Sequence, residues 1–355
     1  MAGRYPLELT AAETAGFYYF RRHLVKKFIG LATGIVLISL ATLSTAFAAE
    51  PQKKVLIGIS QIVSHPALDA IVKGVQDELA ALKINVEYDL QNANGNINTA
   101  ASIANKFQSE KVTLAVGVAT PTAQALVKTL KGIPIVFTGI TDPVKAGLVT
   151  SLEKGEKSVT GYSNMTPIKQ QIQLLLKVKK VKRLGHIYTG SEVNAVVLAG
   201  VVKQSCKELG IEYVETTVSK SAEVKQAVQA IAGRIDALYI TTDNTVVSAM
   251  SAVAEVALKN KIPIMSADTS SAETNPVMMA SGFDWYKMGR ATGDMIAEIL
   301  KGKKPEDMPT RFMTKPSDTD LLINLDVARK IGVTIPKEIL AGANKVVENG
   351  KLTKK

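Results

Sequence analysis

The chain has 355 residues, a formal net charge of +11, 46% hydrophobic and 5% aromatic content, and one cysteine. That single residue, Cys206, excludes an intramolecular disulfide. The positive charge does not mark a nucleic-acid binder: the lysines are scattered, and the densest group, Lys177 to Arg183, follows an apolar helical stretch, where cations complement the helix dipole.

The N-terminus reads as an export signal. Arg21-Arg22-His23-Leu24-Val25-Lys26-Lys27 precedes an apolar run from Phe28 to about Leu43, and Ala46-Phe47-Ala48 offers small residues for cleavage after Ala48. The run is short for a membrane span, which needs about 20 residues. Val25-Lys26-Lys27-Phe28 would itself open a conventional signal, so residues 1–24 form an atypically long leader. No cysteine follows the run to carry a lipid, which points to a soluble periplasmic protein. Without residues 1–48 the chain keeps 38 basic and 30 acidic side chains, a net +8.

Strand and helix then alternate. Val55–Ile59 is an apolar strand, and Pro66 opens a helix whose Leu68, Val72, Val75, Leu79 and Leu82 form one stripe. Strands at Val86–Leu90, Leu114–Val118 and Ile133–Phe137 alternate with helices at Ile97–Phe107 and Pro121–Leu130. The pattern restarts with strands at Val159–Tyr162, Leu184–Tyr188, Tyr213–Val218, Ala237–Ile240, Ile262–Met265 and Val277–Gly282. Helices are expected at 167–178, 194–209, 222–232, 245–260 and 285–300. The alternation predicts an α/β protein of two doubly wound parallel-sheet lobes. Residues 49–157 would form the first lobe, completed by part of 284–310. Residues 158–283 would form the second, completed by part of 311–355. The first crossover is expected at Gly155-Glu156-Lys157-Ser158.

In open α/β sheets a ligand lies beyond the carboxyl ends of the strands. The residues there include Ser64 and His65, Thr120 and Thr122, Thr138 and Thr141, Glu192 and Asn194, Asp243 and Asn244, and Asp268. Each of these types also caps helices and turns. Together they would line a cleft with hydroxyls, amides and a few acids, suited to a small polar ligand. Thr120-Pro121-Thr122 at a helix start is a natural carboxylate site. An ammonium would need an acid on the facing wall: Asp243 or Glu192, with Asp268 and Asp142 as further candidates. His186 lies inside a strand and reads as structural, and Trp285 as a core residue at a helix start. No dinucleotide fingerprint, phosphate loop, HExxH or GxSxG motif occurs, so no cofactor, metal site or catalytic activity is expected.

Several segments resemble a bacterial family of ABC-transporter substrate-binding proteins of the tryptophan/tyrosine transport type. They are Ile57 to Asp69, Ala119 to Gln124, Ile135 to Pro143, Glu192-Val193-Asn194, Thr242-Asp243-Asn244 and Ile262-Pro263-Ile264. The resemblance implies a type I periplasmic-binding fold, two lobes closing on a ligand about a hinge, and a membrane permease as partner. It further implies an amino acid as ligand, aromatic in some members. Thr120 and Thr122 would meet its carboxylate, with Thr138 and Thr141 beside them. Asp243 and Asn244 would approach the ammonium, with Glu192 and Asn194 near. Thr242, Ala195 and Tyr162 depart from the family's pattern, which leaves the ligand's side chain open. A sugar binder is the alternative, weakened by the single tryptophan; a sensor partner on the same scaffold is not separated from transport by sequence.

Overall fold

The structure, a computed structural model, describes residues 55–355. The expected export signal and its cleavage point after Ala48 lie outside the described residues. The chain begins with β1 (Val55–Gln61), α1 (Pro66–Ala81), β2 (Val86–Asn92), α2 (Ile97–Glu110), β3 (Leu114–Val118), α3 (Thr120–Thr129), β4 (Ile135–Ile140) and β5 (Val159–Ser163). It continues through α4 (Ile168–Val178), β6 (Arg183–Thr189), α5 (Val193–Glu208), β7 (Glu212–Val218), α6 (Val224–Ala232) and β8 (Ala237–Ile240). Next come α7 (Asn244–Ser248), α8 (Met250–Lys259), β9 (Ile264–Ser266), α9 (Thr269–Thr274) and β10 (Met279–Phe283). The last part holds α10 (Trp285–Leu300), β11 (Arg311–Phe312), β12 (Thr319–Asn324), α11 (Leu325–Ile331), α12 (Lys337–Ala341), β13 (Lys345–Glu348) and β14 (Lys351–Lys354).

Two sheets result. The first has the order β11-β5-β4-β3-β1-β2 and is parallel throughout. The second has the order β14-β13-β12-β10-β9-β8-β6-β7. It is parallel from β7 to β10, but β12 runs antiparallel to β10 and β14 antiparallel to β13. At that edge β12 enters after the excursion through α10 and β11, and β14 turns back along β13 after Asn349 and Gly350. The central strands are apolar on both faces because helices cover both. On β8, Leu238 and Ile240 enter one core with Val228 and Ile231, whereas Ala237 and Tyr239 enter the other with Ile172 and Leu198.

Three segments pass between the sheets. The chain leaves β5 for α4, which packs against the second sheet; it leaves β10 for α10, whose Met288, Met295 and Ile296 join the core of the first; and it passes from β11 to β12. The backbone N–H of Asp284 donates to Asp318 O at 2.9 Å, tying the second and third crossings together. The strand at Val159 was expected to open the second lobe. It instead pairs with β4, in register Ile135 with Val159, so the first crossing follows Ser163. Gly155 packs against the Pro305 backbone. A strand's own apolar pattern does not say which neighbour it joins. The helix expected over 245–260 is broken at Ala249, whose φ of −106° and ψ of 23° end α7 before α8 starts.

Candidate functional site

The carboxyl ends of the two sheets close on a small cavity, of about 10 Å³, lined by His65, Leu68 and Gly139 from the first lobe and Thr242, Asn244, Val247 and Asp268 from the second. Asn164 and Trp285, on two of the crossing segments, complete it. β4 loses register between Phe137 and Ile140, and Gly139 sits at φ +68°, an irregularity of the kind that re-aims backbone beside a site.

The polar atoms of this wall separate into two kinds. Some are saturated by the protein. Asp243 Oδ2 accepts from Thr189 N at 2.6 Å, and its Oδ1 accepts from Thr189 Oγ1 at 2.8 Å and Val246 N at 3.0 Å. Burial raises the Asp243 pKa against these donors. The residue thus caps α7 and ties it to the end of β6. Asp268 caps α9 through Ser270 N and Ser271 N, and Trp285 Nε1 donates to Asp268 Oδ1 at 2.9 Å. Thr122 Oγ1 lies 2.8 Å from Val118 O and 3.0 Å from Ala119 O, so its single proton is committed to backbone. The hydroxyls of Thr138 and Thr292 lie 3.0 Å apart beneath α10, both fully buried, in the core rather than at the cavity. Ser64 is exposed and donates to Asp69 Oδ2 at 2.8 Å.

Others have no partner. Both ring nitrogens of His65, Asn164 Oδ1 and Thr242 Oγ1 are buried without a hydrogen bond, and all three side chains line the one cavity. Orphaned buried polar groups cost about 1–3 kcal/mol each. A cluster of them facing one space is what a ligand's polar groups would satisfy. Burial lowers the His65 pKa, opposed by the charges of Asp268 and Asp69 and by the nearby Asn244 side chain.

Glu192 and Asn194 sit at the start of α5. Glu192 Oε2 accepts from Asn244 Nδ2 at 2.8 Å and from Asn194 Nδ2 at 3.1 Å. Burial, then the Asp243 charge, pushes the Glu192 carboxyl up to about 7. Thr120 and Thr141 are buried at the carboxyl ends of β3 and β4. The turn into α3 is strained: Ala119 has φ +77° and ψ 160°, a region open almost only to glycine. Such strain gathers at ligand-binding turns, and Thr122 braces this one.

Of the eleven residues singled out from sequence, His65, Asn244 and Asp268 line the cavity directly. Glu192 and Asn194 stand behind Asn244. Asp243, Thr122 and Thr138 face protein partners. Asn164, Thr242 and Trp285 are cavity residues that were not on that list, although Thr242 and Trp285 were noted. Asn164 had a signal, since it directly follows a strand, but that strand was placed in the other lobe.

Comparisons with known proteins give the family and the fold. Residues 56–347 match the family described as ABC transporter substrate binding protein. A tyrosine-binding protein of Clostridioides difficile is 38% identical over 79% of this chain and 82% of its own. A structure of an ABC domain in complex with L-Trp from Streptococcus pneumonia is 32% identical, covers 83% of this chain and 100% of its own, and superposes with a TM-score of 0.79. A ligand-free, open structure of a substrate-binding protein with adhesive properties from Clostridium difficile is 38% identical over 79% of this chain and 96% of its own, with a TM-score of 0.60. The two lobes are those of the type I periplasmic-binding fold. The chain belongs to the ABC transporter substrate-binding protein family, whose members bind ligands rather than catalyse reactions.

Proposed function

We propose that this protein captures an aromatic amino acid in the cleft that opens between its lobes around the present cavity of about 10 Å³, and delivers it to the permease of an ABC importer. It works in the periplasm after removal of an export signal ending at Ala48, and its lobes close about the three crossing segments. The observation that carries the reading is the cluster of His65, Asn164 and Thr242, whose buried polar atoms have no partner and face one cavity beside Asp268. Trp285, Leu68 and Val247 supply apolar surface for a ring. The relatives whose names state a ligand, tyrosine in one and L-Trp in another, support the aromatic class. Closure is supported by the superpositions. The L-Trp complex matches better than the open, ligand-free structure even though the latter is the nearer in sequence.

The test is thermal unfolding of protein refolded free of carried-over ligand, against the twenty amino acids and a sugar panel. A ligand at 1,000 times its Kd adds about 4 kcal/mol, a shift of several degrees. Tyrosine, tryptophan or phenylalanine is expected to give that shift, and Asn164→Ala and Thr242→Ala to lose most of it while unfolding near the wild-type temperature without ligand. A shift with sugars alone would discard the amino-acid reading.

A further inference from the structure

Glu192 does not line the cavity that holds His65 and Asp268, yet it is joined to it through one side chain. Asn244 borders that cavity and also a second one, of about 80 Å³, which Glu192 shares with Asn94, Gly95 and Lys220. Asn244 therefore stands as a partition, with Glu192 on one side and the ligand cavity on the other. Its Nδ2 donates to Glu192 Oε2 at 2.8 Å. The amide nitrogen and oxygen diverge from one carbon, so anchoring Nδ2 on Glu192 leaves Oδ1 for the cavity side, where the His65 ring reaches the same side chain and a ligand cation would compete with it. The same Oε2 holds Asn194 Nδ2 at 3.1 Å, and Oε1 lies 3.4 Å from the Thr245 hydroxyl. All the protein donors around Glu192 thus suit an ionised carboxylate.

We infer that Glu192 is a positioning residue for ligand capture: its carboxylate fixes the Asn244 amide so that Oδ1 is presented as an acceptor to a cationic group of the ligand, and protonation of Glu192 releases that amide and weakens binding. The inference rests on the proposed function of the cavity. Two further observations support it. Glu192 is 7% exposed, and its two carboxylate oxygens are held by the Asn244, Asn194 and Thr245 side chains. Burial and the neighbouring Asp243 bring its pKa to about 7, within reach of ordinary changes in pH. The other ionisable groups facing this region are Asp243 from the turn after β8, Lys220 from the turn after β7 across the shared cavity, and, beyond Asn244, His65 with Asp268 and Asp69. Lys220 lies 3.8 Å from Glu223 at the surface. Burial lowers the His65 pKa, and the Glu192→Gln variant separates any titration of this ring from that of Glu192.

The test is calorimetric titration with L-tyrosine and L-tryptophan at about pH 8 and pH 6. If only the ionised form of a group with pKa 7 binds, Kd weakens roughly tenfold between those values, and binding at the lower pH releases close to one proton. That proton is read from the dependence of the heat on buffer ionisation enthalpy, in the wild-type protein itself. Glu192→Gln keeps an acceptor for Asn244 without titrating and is expected to flatten both the pH dependence and the proton release. A wild-type Kd that does not change with pH overturns the inference while leaving the cavity assignment standing. So does a Glu192→Gln variant that keeps the slope, which would move the titration to another group. If the protein is folded and binds neither amino acid at either pH, the functional reading itself falls and takes this inference with it.

Discussion

At the scale of single residues, a group's position in the chain and the direction of its polar atoms are separate facts. Asp243 follows a strand and Thr122 opens a helix, so both were legible as rim residues. Whether their oxygens face a ligand or a neighbouring N–H depends on partners distant in sequence, such as Thr189 for Asp243. His186 shows the converse, since its place inside a strand was enough to read it as structural. It is fully buried, with Nδ1 at 2.9 Å from Tyr213 Oη and Nε2 at 3.3 Å from Thr241 Oγ1. Burial pushes its pKa down to about 3, from an ordinary value of 6.5. The folded state therefore binds fewer protons than the unfolded one below the unfolded pKa. The stability of the neutral ring is present in full above about pH 6.5 and is lost as pH falls toward 3. By pH 4.5 the loss is about 3 kcal/mol from this one residue. Denaturant unfolding of the wild type against His186→Gln should show that difference in slope between pH 7 and 4.5. Parallel curves would mean that the ring is not held neutral.

Secondary-structure elements were more legible than single contacts. The helix over 285–300 and the strand–helix alternation through 240 follow from apolar runs and stripes whose periods are local properties of the chain. Membership of a sheet is not local, which is why β5 was assigned to the wrong neighbours. Nor is the contact between α1 and α10, elements some 200 residues apart. A Cβ placed on Gly74 would collide with the backbone of Tyr286, and one on Gly289 with the backbone of Ile71, so these glycines permit close approach of the two helices. Gly289→Ala is expected to cost about 1–3 kcal/mol by overpacking, lowering Tm by several degrees. Gly200, on the exposed face of α5 with nothing near its Cβ position, is the control. Gly200→Ala should be neutral or stabilising by up to about 1 kcal/mol through helix propensity. Equal effects at the two sites would show that the α1–α10 crossing is not limited by backbone contact.

At the scale of the whole molecule, the proposed closure makes one hydrogen bond diagnostic. Trp285 opens α10, which packs on the first sheet, and its Nε1 donates at 2.9 Å to Asp268, which follows β9 of the second. Separation of the lobes would break this bond and expose a ring that is now 3% exposed. Trp285 is the chain's one tryptophan, so its emission reports this contact without interference from another. Ligand should therefore shift the emission toward shorter wavelength as the ring is enclosed. In parallel, the radius of gyration in small-angle scattering should fall toward the roughly 19 Å of a compact body of this size. Trp285→Phe retains the apolar surface and removes the donor. Loss of a hydrogen bond to a charged acceptor, made only in the closed form, is worth about 1.5 kcal/mol, or roughly tenfold in Kd. A variant that binds as tightly as the wild type would show that Trp285 fills the cavity wall but does not hold the lobes together. A radius unchanged by saturating ligand would show that the lobes are already closed before the ligand arrives. In that event the cavity fills by local opening at its rim, and the crossing segments act as a rigid spine.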